Sequence, residues 1–181
     1  MKNKKGISTI AYFFLVIVLL FVFSIIFGLG IYASNQVNTA LMSVEGDVGS
    51  VNFQNATAAT WGQMNSGLNN SANLIGAGLM FAMFIGMLIN AFLTRGENVK
   101  IFIIVDIVIL LVAFLFSTYI SNAYEEIIQI SDLSTTFQQT MNMGSSFMLN
   151  LPLYVLIFGI LIMVISYSGI PASREEQVAG Y

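Results

Sequence analysis

Asp106 is the one ionisable side chain well inside an apolar block of this 181-residue chain. A carboxylate in that setting is a functional hypothesis by default. It stands six residues past Lys100, and Asn90 stands five before Arg95. In a helical hairpin turning between the two cations, Asn90 and Asp106 therefore reach similar depth. Two chemistries fit. As a relay, Asp106 would carry a proton or a cation; as a structural contact, protonated or bonded to an amide, it would pin one apolar helix to the next. A relay calls for a second carboxylate or a buried base close by, and none shares its block, which favours the contact.

Little else in the sequence can do chemistry. There is no histidine and no cysteine, which removes imidazole acid–base catalysis, disulfides and most transition-metal sites. No serine–base pair, phosphate-cradling glycine loop or paired-carboxylate spacing is present, so the expectation is a protein that is not an enzyme and has neither cofactor nor metal. Glu125-Glu126 reads as a solvated acidic face.

The elements that must position Asp106 are four apolar blocks at about 7–32, 74–93, 101–120 and 151–167. Hydrophobic residues make up 57 % of the chain and charged ones 8 %, against roughly 25 % charged in a soluble domain. Each block can cross about 30 Å of hydrocarbon, the last with least to spare. The expected fold is an all-α integral membrane protein of one domain, with four transmembrane helices arranged as two hairpins. Pro152 suits the first turn of the fourth helix, and Pro171 marks its end.

The six cations set the topology. Lys2, Lys4 and Lys5 precede the first block, Arg95 and Lys100 bracket the turn after the second, and Arg174 follows the fourth. Cytoplasmic flanks hold the Lys/Arg excess, which places both termini and the 95–100 turn inside, N-in and C-in. Glu45, Asp47, Glu125, Glu126 and Asp132 then give −5 outside; six cations against Glu97, Glu175 and Glu176 give +3 inside, and Asp106 supplies the remaining −1. Nucleic acid is not an expected partner of so acidic an exterior.

Both outer loops, 35–72 and 122–147, carry helical patterning. Val37, Leu41, Val44, Val48 and Val51 alternate spacings of four and three, and Trp61, Met64, Leu68, Ala72 and Ile75 form a stripe on the way back. Residues 35–72 are expected to make a helical extension outside the membrane, roughly 28 Å tall. Gly46, Gly49, Gly62 and Gly67 weaken that helix. In the second loop, Tyr124, Ile127, Ile128, Leu133, Phe137 and Met141 form a partly helical stripe with a break at Ser131-Asp132. Tyr32-Ala33-Ser34-Asn35 and Met64-Asn65-Ser66-Gly67 are echoed by Tyr119-Ile120-Ser121-Asn122 and Met141-Asn142-Met143-Gly144, the pattern of a duplicated hairpin.

Gly78, Ala82, Gly86, Asn90 and Thr94 fall four apart, the spacing at which two membrane helices approach closely. The contact could lie within the chain, between copies, or with another subunit. Tyr12, Tyr32, Tyr119, Tyr154 and Tyr167 read as interfacial anchors. Met141, Met143, Phe147 and Met148 read either as core filling or as an adaptable docking surface. Asn55-Ala56-Thr57 and Asn69-Asn70-Ser71 are glycosylation sequons, making Asn55 and Asn69 acceptor candidates.

Lys4-Lys5-Gly6-Ile7-Ser8-Thr9-Ile10 and the apolar run after it resemble the start of archaeal prepilin-like proteins with a class III signal, over about 25 residues. The resemblance implies an archaeal origin, cellular or viral, and the family's cleavage after a small residue would fall at Gly6. The residues themselves point to a structural subunit of a larger membrane complex or viral envelope, with the lipid bilayer and copies of itself or other membrane subunits as partners. The alternative is an oligomeric ion or proton channel or transporter component centred on Asp106.

Overall fold

A computed structural model describes residues 9–49, 51–93, 95 and 102–168. Lys2, Lys4, Lys5, Gly6, Thr94, Lys100, Pro171 and Arg174, which carry much of the topology reading and the prepilin resemblance, lie outside those residues.

The described chain is helical apart from one small hairpin. Helix α1 spans Thr9–Met42, α2 Phe53–Thr57, α3 Gln63–Leu93, α4 Phe102–Ile128, α5 Ser131–Thr135, α6 Asn142–Leu149 and α7 Leu151–Tyr167. Three stretches are long and apolar enough to cross a membrane: Tyr12–Met42, Phe53–Leu93 and Ile103–Ile128. A fourth requires α6 and α7 to count as one broken span, and these two are bent by 70°. The bend has a local cause. Pro152 has no N–H to give the carbonyl four residues back, at Met148, so α6 cannot run on through it; the chain breaks at Asn150 and restarts with Pro152 in the first turn of α7, where no N–H is needed.

Helix α1 runs past its apolar block, as the Val37 and Leu41 spacing implies, and then stops. Val44, Val48 and Val51 do not continue a helical seam. Gly46 and Gly49 have φ of 140° and 69°, and the chain turns through a two-stranded ladder, β1 (Asp47–Val48) on β2 (Val51–Asn52), pairing Asp47 with Asn52 and Val48 with Val51. Gln54 Nε2 caps α1 by donating to the Met42 carbonyl at 3.1 Å. Asn52 caps α2 by accepting from the Asn55 N–H at 3.1 Å.

The return limb contains a wide turn. Ala58–Gly62 is π-helical, between α2 and α3. The same order recurs later: five α-helical residues, five π-helical residues (Thr136–Thr140), then α-helix again. Phe53 to Ser131 and Ala58 to Thr136 are both 78 positions apart. π-helix accounts for well under 1 % of residues in soluble proteins, so its recurrence in matching places supports two hairpins of one design.

The chain divides into two compact units: Met1–Leu19 with Ala82–Tyr119 and Leu151–Tyr181, and Leu20–Phe81 with Ile120–Asn150. In the first, Phe13 meets Phe84 edge-on at 5.7 Å, and Phe84 stacks on Phe158 at 4.6 Å. A Cβ on Gly159 of α7 would overlap the tip of Leu110, so α4 and α7 approach closely there. In the second, a Cβ on Gly28 of α1 would overlap the buried Phe137 ring. Gly144 lies close to Met80 and Met141, and Phe81 meets Phe147 edge-on at 5.2 Å.

Candidate functional site

The first unit holds the residue singled out by the sequence. Asp106 is 1 % exposed on α4, where it shares the buried face with Ala113 and Ser117. Its carboxylate accepts a hydrogen bond from the Tyr167 hydroxyl, Oη to Oδ2, at 2.5 Å. The pairing expected from the sequence joins the second and third apolar blocks. The Tyr167 bond ties the third block to the fourth, because the α7 face carrying Val155, Gly159, Ile162 and Ser166 packs inward and brings Tyr167 with it. Tyr167 is thus more than an interfacial anchor. Beside it in sequence, Ser166 is 1 % exposed and its hydroxyl has no partner among the described residues.

Asn90 is partly buried on α3, and Arg95 lies over the Phe92 ring at 5.3 Å. The rest of the small-residue stripe points elsewhere. Gly78, Ala82 and Gly86 are exposed, and a Cβ built on either glycine meets nothing within 4 Å. Among the described residues, neither glycine is in close contact with another part of the chain. The close approaches are made by Gly28 and Gly159 instead. The seam on α1 is legible in the sequence: Phe13, Ile17, Leu20, Ser24, Gly28 and Ile31 recur at spacings of three and four and are all buried, with Ser24 and Gly28 as the small pair.

The second unit is built around a buried hydroxyl chain that sequence reasoning misses. Tyr124 of α4 is fully buried. The Ser24 hydroxyl donates to its Oη at 3.2 Å, its Oη bonds Ser145 Oγ at 3.0 Å, and Ser145 donates to the Phe137 carbonyl at 2.6 Å. The network ties α1, α4, the second π turn and α6 together. Nearby, Ser121 donates to the Leu149 carbonyl at 2.7 Å, satisfying a carbonyl at the α6–α7 break.

A second polar contact joins α1 to α3. Asn35 Oδ1 accepts from Asn65 Nδ2 at 2.9 Å and from Asn69 Nδ2 at 2.7 Å, Asn35 Nδ2 donates to Asn69 Oδ1 at 3.3 Å, and Ser34 donates to Asn65 Oδ1 at 2.7 Å. The expected apolar stripe is kept in part, with Trp61 and Leu68 partly buried. Ala72 is buried, but Met64 and Ile75 are exposed, while Thr57, Asn65 and Gly76 turn inward. The two sequon asparagines stand in different surroundings. The Asn69 amide is engaged by Asn35 in both directions, whereas Asn55 is exposed on α2. Of the methionine group, Met141, Phe147 and Met148 fill the core and Met143 is exposed.

Among the described residues, no group of three or more His, Cys, Asp or Glu side chains could hold a metal ion. What these polar groups do is join helices: hydroxyl to carboxylate, hydroxyl to hydroxyl, amide to amide. Comparison with known proteins finds no matching family model, no similar curated protein and no similar solved structure.

Proposed function

We propose that the protein is a non-catalytic structural subunit of a larger membrane assembly, a membrane complex or a viral envelope. It crosses the bilayer four times, with both termini and the 95–100 turn on the inner side. It packs through α3 against copies of itself or other membrane subunits. One observation carries this reading: Gly78, Ala82 and Gly86 are exposed on α3 at a spacing suited to close helix approach, and no described residue lies within 4 Å of a Cβ built on either glycine. The Tyr167–Asp106, Ser24–Tyr124–Ser145 and Asn35–Asn65–Asn69 bonds support it too, since each joins one helix to another. Apolar side chains such as Leu93, Ile104 and Leu115, exposed along the long helices, suit a lipid or subunit environment.

Native mass spectrometry from gently solubilised membranes tests the reading. Wild type should appear as an oligomer or a complex, and Gly86→Leu should release the single chain with its melting temperature unchanged, because the added side chain meets nothing in the monomer. A monomeric wild type, or a Gly86→Leu variant that assembles like wild type, would overturn it.

A channel or transporter role centred on Asp106 is the second reading. The buried carboxylate is in its favour, as is the Ser166 hydroxyl, which stands beside Tyr167 in sequence and has no hydrogen-bond partner among the described residues. It requires proton or cation flux into liposomes that Asp106→Asn abolishes; the structural reading expects none in either protein.

A further inference from the structure

The second unit contains five carboxylates, Glu45, Asp47, Glu125, Glu126 and Asp132, and not one Lys, Arg or His within 20–81 or 120–150. Glu125 faces a cavity. A groove of about 390 Å³ opens between the end of α4 and α6, with Glu125 on its rim and Ile128 and Leu149 as apolar lining. That volume is in the range of small-ligand sites.

The remaining lining is polar and partly fixed in orientation. Gln129 Nε2 donates to Glu125 Oε1 at 3.2 Å, and Gln138 Nε2 donates to the Ile128 carbonyl at 3.1 Å. Ser145, also in the wall, is held by Tyr124 and the Phe137 carbonyl. With one N–H of each glutamine engaged, the lining offers Glu125 Oε2 and the amide oxygens of Gln129 and Gln138 as acceptors, beside the Asn142 amide and the Ser146 hydroxyl. The groove is therefore rich in acceptors, carries one negative charge, and has no cation in its unit to neutralise it.

We infer that this groove binds a primary ammonium group on a short apolar stem, the chemistry shared by free alkylamines and by the ethanolamine headgroup of a phospholipid. Three N–H donors on one cation match several converging acceptors. A quaternary ammonium would want aromatic faces, and the lining has none. A hard divalent cation takes six or more oxygens, with several carboxylates among them, and a single glutamate does not supply those. An anion would be repelled.

The full chain in detergent micelles, titrated calorimetrically with ethanolamine, tests the inference. Wild type should show saturable binding. Glu125→Gln should weaken it about tenfold, the loss expected for one charge-assisted hydrogen bond in a half-open site. Glu126→Gln, the neighbouring exposed carboxylate outside the groove, should change nothing, and Asn142→Asp should tighten binding. Choline should not compete. Absent ethanolamine binding, equal binding by Glu125→Gln, or equal competition by choline would overturn it. The source of the amine is read in nanodiscs. A Glu125-dependent rise in melting temperature with phosphatidylethanolamine over phosphatidylcholine assigns the lipid headgroup, and a response to free ethanolamine alone assigns a soluble amine. Binding is read on a single chain and stands or falls apart from any assembly through α3.

Discussion

Tyr124 owes its position to two partners far away in sequence, Ser24 at 100 residues' separation and Ser145 at 21. Removing its hydroxyl leaves Ser24 buried and without this partner, while Ser145 keeps the Phe137 carbonyl. Tyr124→Phe should therefore cost about 1–2 kcal/mol, read by thermal unfolding in detergent. Adding Ser24→Ala should cost less in the Tyr124→Phe background than in wild type, because the group it removes has already lost its bond. At this scale the sequence is only half readable. Asp106 is conspicuous as a lone carboxylate among Ile, Val and Leu, but Tyr167 lies 61 residues on and fits a belt anchor equally well from composition alone. Tyr124 looks like one more member of an apolar stripe. Its phenol matters only once α1 supplies a serine at the same level, and helical spacing within one element cannot express that.

Helices are the readable part, because their apolar length and three-to-four spacing are properties of contiguous residues. Their ends are less so. The valine seam continues on paper through Val44, Val48 and Val51, yet the backbone at Gly46 and Gly49 turns away from helix, and pattern counting gives glycine only a modest penalty. Gly46→Ala places a side chain at φ 140°, where L residues are strained by about 1–3 kcal/mol. Amide exchange across residues 42–53 should quicken accordingly. Gly49→Asn, at φ 69°, should be far milder, since asparagine tolerates that left-handed region. The second loop is more legible: Tyr124, Ile128, Phe137 and Met141 are all buried, and the break falls at Gln129-Ile130, just ahead of the expected Ser131-Asp132. The 70° bend between α6 and α7 has no such signal. Pro152 marks a helix start in sequence and in structure, but the helix that precedes it is short and mixes small and polar residues with Met143, Phe147, Met148 and Leu149, so no separate element stands out before the proline.

For the whole molecule, four-residue echoes such as Tyr-Ala-Ser-Asn and Tyr-Ile-Ser-Asn are weak signs of repetition. The α-turn followed by a π-turn, repeated at one offset, is a stronger one, because it repeats an uncommon backbone geometry and not merely common letters. The wide turn also determines how the chain tolerates changes in length. Thr57 and Asn65, eight residues apart, are both buried. In an uninterrupted α-helix eight residues would rotate by about 800°, some 80° past two full turns. The π turn absorbs that excess as one supernumerary residue. Deleting exposed Ala59 should convert the segment to plain α-helix, leave Asn65 within about 20° of its present heading, and preserve the pairing with Asn35. Deleting Ala82, in regular α-helix, should instead swing everything beyond it by about 100° and abolish the folded state. Circular dichroism melts of the two deletions separate these outcomes. Within the return limb, the π turn is thus the place where a residue can be lost without scrambling which side of α3 meets α1.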